Sequence, residues 1–306
     1  MSTETKPEAE LKKRVEGVAE TLRDQFTFLR RDRLAFAGVV IVAAFVFLGL
    51  LGPALAPHDP IEYTVRDDAG SMLRLSEPTG TALFGTTAYG KDVLSQFLAG
   101  AQPTFIVGLF GGIGTGALGF LVGLVSGYYG GWVDEVLMRL TDLTFSLPFT
   151  PMALLLLTFV TPSVWLMTGI IVAFLWKMPA RVVRSEVLSV RERTFVKSAR
   201  ASGASDLRTM LYHVAPNVLP IGFLYTAYGI AWAIAAQASL AFLGFGDPTV
   251  TSWGRMLRQV FESGNMRVAW WWVLPPALGI AAITTSVFLI GRAYEEVINP
   301  EIQTEQ

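Results

Sequence analysis

Residues 34–56 read LAFAGVVIVAAFVFLGLLGPALA, a stretch that contains no charged residue and is followed by Pro57. A helix that crosses about 30 Å of hydrocarbon needs about 20 apolar residues. This stretch is therefore predicted to cross a membrane as a helix. It follows a charged segment and is too long for the apolar core of a cleavable signal peptide, so we expect it to remain in the bilayer.

The composition of the chain supports a membrane protein. Hydrophobic residues make up 52% of the 306 residues and charged residues only 16%, whereas soluble domains carry about 25% charged residues. The net charge of −1 gives no bulk attraction to nucleic acid. The chain contains no cysteine, and its two histidines, His58 and His213, are far apart in sequence. We therefore predict neither disulfides nor a metal site.

Five further apolar segments follow the first one. Residues 143–176 are free of charge, but a single helix of that length would extend about 51 Å, too long for one crossing. Pro162 divides the stretch, and Ser163 is suited to cap the second helix. A five-span alternative with one long third helix is geometrically strained. The sequence thus predicts an all-α protein with six spans, at residues 34–56, 105–128, 143–160, 164–180, 218–242 and 268–290.

The distribution of basic residues predicts the orientation. Six spans place both termini on the same side, and with both termini inside, 18 of the 24 lysines and arginines are cytoplasmic. The predicted regions are a cytoplasmic segment 1–33, a six-span domain 34–296 and a cytoplasmic tail 297–306. Within the six-span domain, residues 57–102 and 244–267 are then external loops, and residues 181–217 are cytoplasmic.

The first 33 residues have their own pattern. Their apolar residues recur at helical spacing with charges between them, which predicts an amphipathic helix on the cytoplasmic face of the membrane. A frayed tail is the alternative. The apolar positions are Leu11, Val15, Val18, Leu22, Phe26 and Leu29.

The cytoplasmic segment 181–217 reads as helix, break, short helix, break. Gly203 is a natural helix terminator, Ser205 is a good N-cap, and Asp206 is placed favourably against the helix dipole. Pro216-Asn217 is expected to end the short helix before the fifth span. A short, capped, exposed helix suits docking to a cytoplasmic partner, but from the residues alone an ordinary loop is equally compatible.

This segment resembles the EAA signature of permease subunits from binding-protein-dependent ABC importers. The string FVKSARASGASDLR, residues 195–208, is similar to the peptide and nickel branch of that family. The resemblance implies that the segment is the coupling helix region, which contacts an ATPase. The residues that it assigns to coupling are Lys197, Ser198, Ala199, Arg200, Gly203, Ala204, Ser205, Asp206, Leu207, Arg208, His213 and Pro216.

Four other stretches resemble the same branch, in the same order along the chain. Together the resemblance extends over roughly residues 26–300, and five ordered motifs make it specific. Three positions depart from the family pattern: Lys197 and Ser198 replace a glutamate and an alanine of the signature, and Gln237 stands where many members carry glutamate. The four stretches are residues 55–60, LAPHDP; 83–94, LFGTTAYGKDVL; 130–142, GGWVDEVLMRLTD; and 237–254, beginning QASLAFLGFG and ending SWG.

The resemblance implies a type I ABC importer permease fold and a multi-subunit machine. Its parts would be this second, C-type permease, a homologous permease, two ATPase subunits and an extracellular or periplasmic substrate-binding protein. The permease would be no enzyme and carry no cofactor of its own, since ATP and Mg²⁺ would be bound by the ATPase partners. Its location would be the inner membrane of a bacterium or archaeon. Peptides are the commonest cargo of the family, with oligosaccharide or nickel as alternatives.

Glycine-rich stretches in the chain do not indicate nucleotide binding. The chain has no G-x-x-x-x-G-K-[ST] phosphate loop, and its G-x-G-x-x-G match at residues 114–119 lies inside the second predicted span, with no strand before it. We interpret these glycines as helix-packing residues, because small faces let membrane helices approach closely. They form two sets of three, each recurring every four residues on one helical face, and the sequence leaves open whether they face this bundle or a partner permease. The packing residues are Gly108, Gly112, Gly116, Gly119, Gly123 and Gly127.

Three other functional classes are weighed against an ATP-driven importer. A proton-coupled transporter normally carries an ionisable residue inside its spans, and the predicted spans have no internal carboxylate, arginine or histidine. A passive channel needs no docking segment. An intramembrane protease needs a buried Ser/His pair or metal ligands, and both histidines lie outside the spans.

A few remaining polar and aromatic residues have local interpretations. Gln237 and Gln102 are predicted near the external end of the pathway, where each is a candidate for lining it or for a structural hydrogen bond. His213 is expected to tune the end of the docking helix. Trp270, Trp271 and Trp272 are predicted to anchor the sixth span at the membrane interface.

Overall fold

Helices account for all the regular secondary structure in residues 32–298, the part of the chain that a computed structural model describes. Two π-helical turns, Met210–Val214 and Ala241–Phe245, join onto α-helices. The predicted amphipathic helix at residues 11–29 lies outside the described residues. The α-helices are α1 Arg33–Leu55, α2 Val93–Tyr129, α3 Gly131–Ser146, α4 Phe149–Thr158, α5 Val164–Leu175, α6 Lys177–Arg191, α7 Thr194–Ala201, α8 Asp206–Thr209, α9 Ala215–Leu240, α10 Trp253–Glu262 and α11 Trp270–Ile298.

Four of the predicted spans coincide with apolar helices long enough to cross a bilayer. These are α1, α2, the continuous helix Asp206–Phe245 that includes α9, and α11. Two bent pairs, α3 with α4 and α5 with α6, raise the number of candidate spans in the described residues to as many as six. Helix α2 begins at Val93, so residues 93–102, predicted as loop, are helical.

The third span was predicted wrongly as one helix over residues 143–160. Helix α3 ends at Ser146, α4 begins at Phe149, and the two are bent by 83°. The cause is Pro148, which disfavours helical backbone at the residue before it; Leu147 accordingly has φ −87° and ψ 118°. Helix α4 has 10 residues, about 15 Å of rise, and is too short to cross a bilayer alone.

The predicted break at residues 161–163 is confirmed. Helix α5 begins at Val164, and the Ser163 hydroxyl accepts a hydrogen bond from the backbone N–H of Leu166 at 3.2 Å. The predicted end of this span at residue 180 was too early. The chain bends by 41° between α5 and α6, and α6 continues to Arg191.

Helix α2 is the centre of the bundle and packs against α1, α5, α6 and α9. Its two glycine faces contact different neighbours. A Cβ atom at Gly112 or Gly116 would collide with Ile230 or Thr226 on α9. Beyond them, Gly119, Gly123 and Gly127 lie against Pro179, Val183 and Val187 of α6. Within this chain, the glycines therefore allow close approach of α2 to both helices.

The loop between α1 and α2 is held against the start of α11. Trp271 and Trp272 are only 4% and 0% exposed, and the Trp271 indole donates a hydrogen bond to the backbone carbonyl of Thr86 at 3.1 Å. Only Trp270, at 54% exposed, has the exposure expected of an interfacial anchor. The prediction was wrong for Trp271 and Trp272, because the loop folds back over them and excludes solvent.

Candidate functional site: the docking segment and the opposite polar end

The segment between α6 and α9 has the capped geometry that its sequence predicts. Helix α7 ends at Ala201, and Gly203 has φ +85°, a left-handed conformation that favours glycine. The Ser205 hydroxyl then accepts a hydrogen bond from the backbone N–H of Arg208 at 3.4 Å, which caps α8. Gly203 and Ser205 thus separate two helices and fix where the second begins.

The expectation that Pro216-Asn217 ends the short helix is wrong. Helix α8, the π turn and α9 form one continuous helix from Asp206 to Phe245. Proline lacks an N–H and its ring displaces the preceding turn, but Pro216 lies in the first turn of α9, after the wider π turn has taken up the displacement. The Asn217 side-chain amide donates to the carbonyl of His213 at 2.7 Å and supplies a donor to the widened turn.

An apolar cluster attaches the underside of this segment to the bundle. Val196 of α7 and Met210 of the π turn are buried with the inner face of α6 and the end of α2. The spacing of Val183, Val187 and Val190 follows one helical face and was visible in the sequence. Burial of these side chains keeps α7 and α8 from moving independently of α2 and α6.

Tyr128 makes a second attachment that the sequence analysis missed. Its hydroxyl donates a hydrogen bond to Asp206 Oδ1 at 3.1 Å, and the Arg200 guanidinium lies 4.9 Å from the centre of its ring. One residue in the last turn of α2 thus contacts both α7 and α8. No local signal marks this role, because Tyr128 is 78 residues before Asp206 in the sequence.

The outer face of the segment is exposed and partly apolar. Leu207 is 57% exposed, Leu211 48% and Tyr212 73%. With Ser205 and Arg208 they line an open depression of about 420 Å³. Neighbouring apolar side chains left in contact with water on a capped helix are typical of a protein-binding surface.

Charged residues brace the same region. Arg184 of α6 makes two hydrogen bonds of 2.5 Å to the carboxylate of Asp134 of α3. On the exposed side, Lys197 lies 3.1 Å from Glu192, and the hydrogen bond from Lys197 lowers the pKa of that carboxyl. Lys197, which replaces the glutamate of the signature, therefore pairs with a carboxylate from the preceding turn.

The other predicted site residues lie in three different settings. Ser198 accepts a hydrogen bond through its backbone carbonyl from the Ser202 hydroxyl at 3.0 Å, while Ala199 and His213 are half-buried. Gln237 of α9 is 3% exposed, and its Oε1 has no hydrogen-bond partner among the described residues. Gln102 is exposed on α2. A pathway-lining role for either glutamine stays a prediction.

A polar cavity lies at the other end of the long helix Asp206–Phe245. It consists of two adjoining parts, of about 330 Å³ and 150 Å³, which share Tyr89, Arg255 and Gln259 in their walls. The larger part is also lined by Ala241, Gly244 and Arg258. The continuous helix therefore begins at the docking segment and ends at this cavity.

Asp247 fixes the loop beside the cavity. Its carboxylate accepts hydrogen bonds from the Thr249 hydroxyl at 2.6 Å, from the Thr249 N–H at 2.8 Å and from the Val164 N–H at 3.2 Å. Burial alone would raise the pKa of Asp247, but these hydrogen bonds and the charge of Arg255 outweigh burial and lower it. The carboxylate is therefore charged and already hydrogen-bonded within its own loop and to α5.

Apolar helices of spanning length, with a capped segment exposed at one end, define a polytopic helical membrane protein. Residues 119–303 match the family model described as binding-protein-dependent transport system inner membrane component. Residues 21–76 match the N-terminal TM domain of oligopeptide transport permease C. The chain belongs to the family of binding-protein-dependent transport system inner membrane components.

Two groups of relatives align with almost the whole chain. The dipeptide transport system permease protein DppC of Alkalihalophilus pseudofirmus is 30% identical over 288 residues, which cover 92% of this chain and 90% of the relative. The oligopeptide transport system permease proteins OppC of Mycobacterium bovis and Mycobacterium tuberculosis are 33% identical over 272 residues, 86% of this chain and 90% of each relative.

Proposed function

We propose that this chain is the membrane-spanning, pore-forming subunit of an ATP-driven importer of dipeptides or oligopeptides. Its relatives are named as dipeptide and oligopeptide transport permeases and align over about nine tenths of their own length. The chain would be the C-type member of a permease pair. Its partners are a homologous permease, two ATPase subunits that bind ATP and Mg²⁺, and an external substrate-binding protein.

The exposed face of α8 and of the π turn that follows it carries this proposal. Leu207, Leu211 and Tyr212 are the apolar contacts that an ATPase groove would cover, and Ser205 holds the start of their helix in place. Below them, Tyr128 and the buried valines fix the segment to α2 and α6. A displacement of the ATPase would therefore move these helices together as a rigid body.

The long helix Asp206–Phe245 offers a path for that displacement. Its 40 residues rise about 60 Å from the docking segment to the polar cavity. ATP binds the closed ATPase pair more tightly than the open one, and that difference in affinity would drive alternating access. The two bent pairs complete a six-span arrangement with both termini in the cytoplasm of a bacterium or archaeon, in which the docking segment is cytoplasmic and the cavity external.

The test is ATP hydrolysis by the reconstituted importer with Leu207→Asp. A carboxylate buried against the ATPase would lack a partner, so binding-protein-stimulated hydrolysis should fall roughly tenfold or more. Co-purification of the ATPase should also weaken. Leu207→Met, which keeps the volume and the apolar character, is the matched control and should retain activity. Stimulated hydrolysis at the wild-type rate in Leu207→Asp would overturn the docking assignment.

A further inference from the structure

The walls of the polar cavity at the far end of the long helix carry an excess of positive charge. Lys91, Arg255 and Arg258 line its two parts, against a single lining carboxylate, Glu262. Glu262 is already used, because its Oε1 lies 2.7 Å from Nε of Arg258. Lys91 and Arg255 make no ion pair with any residue that the structure describes.

Arg255 is anchored by one nitrogen only. Its Nη1 donates to the backbone carbonyls of Pro248 at 2.7 Å and Val250 at 2.9 Å. Its Nε and Nη2 have no hydrogen-bond partner in the described part of the chain. In arginine generally, the Nε and Nη2 edge of the guanidinium is one that can bind both oxygens of a carboxylate. Asp247 feels the charge of Arg255 but forms no ion pair with it among the described residues, and its carboxylate accepts hydrogen bonds from Thr249 and Val164 instead.

Backbone and buried polar groups shape the same cavity. Gly244 has φ +102°, and a Cβ atom there would overlap the Arg258 guanidinium, so the glycine leaves the space that this side chain occupies. Gln96, only 4% exposed, lines the smaller part. Its Nε2 donates to the Pro60 carbonyl at 3.1 Å, while its Oε1 has no partner among the described residues.

We propose that this cavity is a carboxylate subsite on the transport path, which receives the α-carboxylate of a short peptide after release from the binding protein. Arg255 holds the carboxylate through its Nε and Nη2 edge, and Lys91 adds a second positive charge. The unpaired Gln96 oxygen is an acceptor for a peptide N–H. The inference rests on the proposed function in peptide import, because a peptide with a free C-terminus brings a carboxylate that is charged at neutral pH.

The cavity also contacts the helix that leads to the docking surface, so binding of a ligand in the cavity can affect the contact with the ATPase. Ala241 and Gly244 in its wall belong to the π turn that ends the helix Asp206–Phe245. The other end of that helix is the exposed docking surface around Leu207. Arg255 and Arg258 belong to α10, and the Arg258 guanidinium lies against Gly244 of the π turn. A ligand that moves Arg258 would therefore act on the end of the helix whose other end is the docking surface.

The experiment compares import of alanyl-phenylalanine with import of its C-terminal amide by the reconstituted importer. The variants are Lys91→Gln, which removes a charge, and Arg255→Lys, which keeps the charge but removes the bidentate edge. Arg267→Gln is the matched control, since it removes an exposed cation that does not line the cavity. The same binding protein is used throughout, so its own preference cancels between variants.

Lys91→Gln and Arg255→Lys should each lower kcat/KM for the free acid roughly tenfold or more and leave the amide nearly unchanged. Arg267→Gln should change neither. An equal loss for both peptides, or no loss, would overturn the subsite and indicate a structural or protein-docking role for the cations. If the wild-type importer moves neither peptide, the proposed function in peptide import itself fails, and the subsite fails with it.

Discussion

Tyr128 shows how a single residue can join two functional elements. It lies in the last turn of α2, donates a hydrogen bond to Asp206 of α8 and supports Arg200 of α7 on its ring. A hydrogen bond of this kind contributes about 1 kcal/mol to stability, so it is too weak to hold the fold by itself. The hydrogen bond instead fixes the position of the docking helix relative to the central helix of the bundle.

Tyr128→Phe should therefore impair coupling more than folding. The ring that carries Arg200 remains, while the hydrogen bond to Asp206 is lost. We expect the amount of solute imported per ATP hydrolysed to fall by up to about fivefold, with little change in thermal stability. Tyr129→Phe is the control, because Tyr129 is 48% exposed and its hydroxyl makes no hydrogen bond to a described residue. An unchanged import-to-hydrolysis ratio in Tyr128→Phe would remove Tyr128 from the coupling path.

At the scale of elements, the glycine faces of α2 decide how closely three helices pack. Gly112 meets the backbone of Ile230, whereas Gly123 meets the backbone of Ala180 and Arg184. Backbone atoms cannot rotate away as a flexible side chain can. Each added methyl group must therefore separate two helices. The separation weakens packing contacts along the whole length of the helix pair and so lowers stability.

Gly112→Ala should destabilise the protein by about 1–3 kcal/mol through overpacking, despite the higher helix propensity of alanine. Gly169→Ala is the matched control: it lies in the interior of α5, and a Cβ atom there would meet no described atom beyond its own helix turn within 4 Å. It should be neutral or slightly stabilising. The thermal unfolding temperature in detergent measures both. A Gly112→Ala variant as stable as wild type would show that α2 and α9 separate without cost.

At the scale of the whole molecule, the proposed orientation places the two ends of the helix Asp206–Phe245 on opposite sides of the membrane. The natural absence of cysteine makes this testable with single cysteines in a functional chain. Ser202 is exposed beside the docking segment, and Thr81 is exposed in the loop between α1 and α2.

In intact cells, a membrane-impermeant maleimide should label Thr81→Cys and leave Ser202→Cys unlabelled. After permeabilisation both should react. The reverse pattern would invert the topology and remove the docking segment from the cytoplasm, and with it the proposed contact to an ATPase. Labelling of both positions in intact cells would place them on the same side and indicate an even number of crossings between them.

The sequence by itself determined the features that depend on local chemistry. Uncharged stretches of about 20 residues specify apolar helices, since no other single segment satisfies its backbone in lipid. The break before Val164 and the cap at Ser205 were also predictable, because both are made by atoms within three residues of one another. For the same reason the family resemblance at residues 195–208 located the candidate docking segment.

Only the tertiary structure decided the features that depend on distant partners. Local rules made Pro216 a helix end, yet the π turn lets the chain continue as one long helix. The periodicity of the glycines predicted two small faces on α2, but it did not identify the helices that these faces contact. Tyr128 meets Asp206 across 78 residues, and Lys91 reaches the cavity of Arg255 from the loop between α1 and α2. Such contacts are set by how the helices pack, and packing is a property of the whole bundle that no local stretch of sequence encodes.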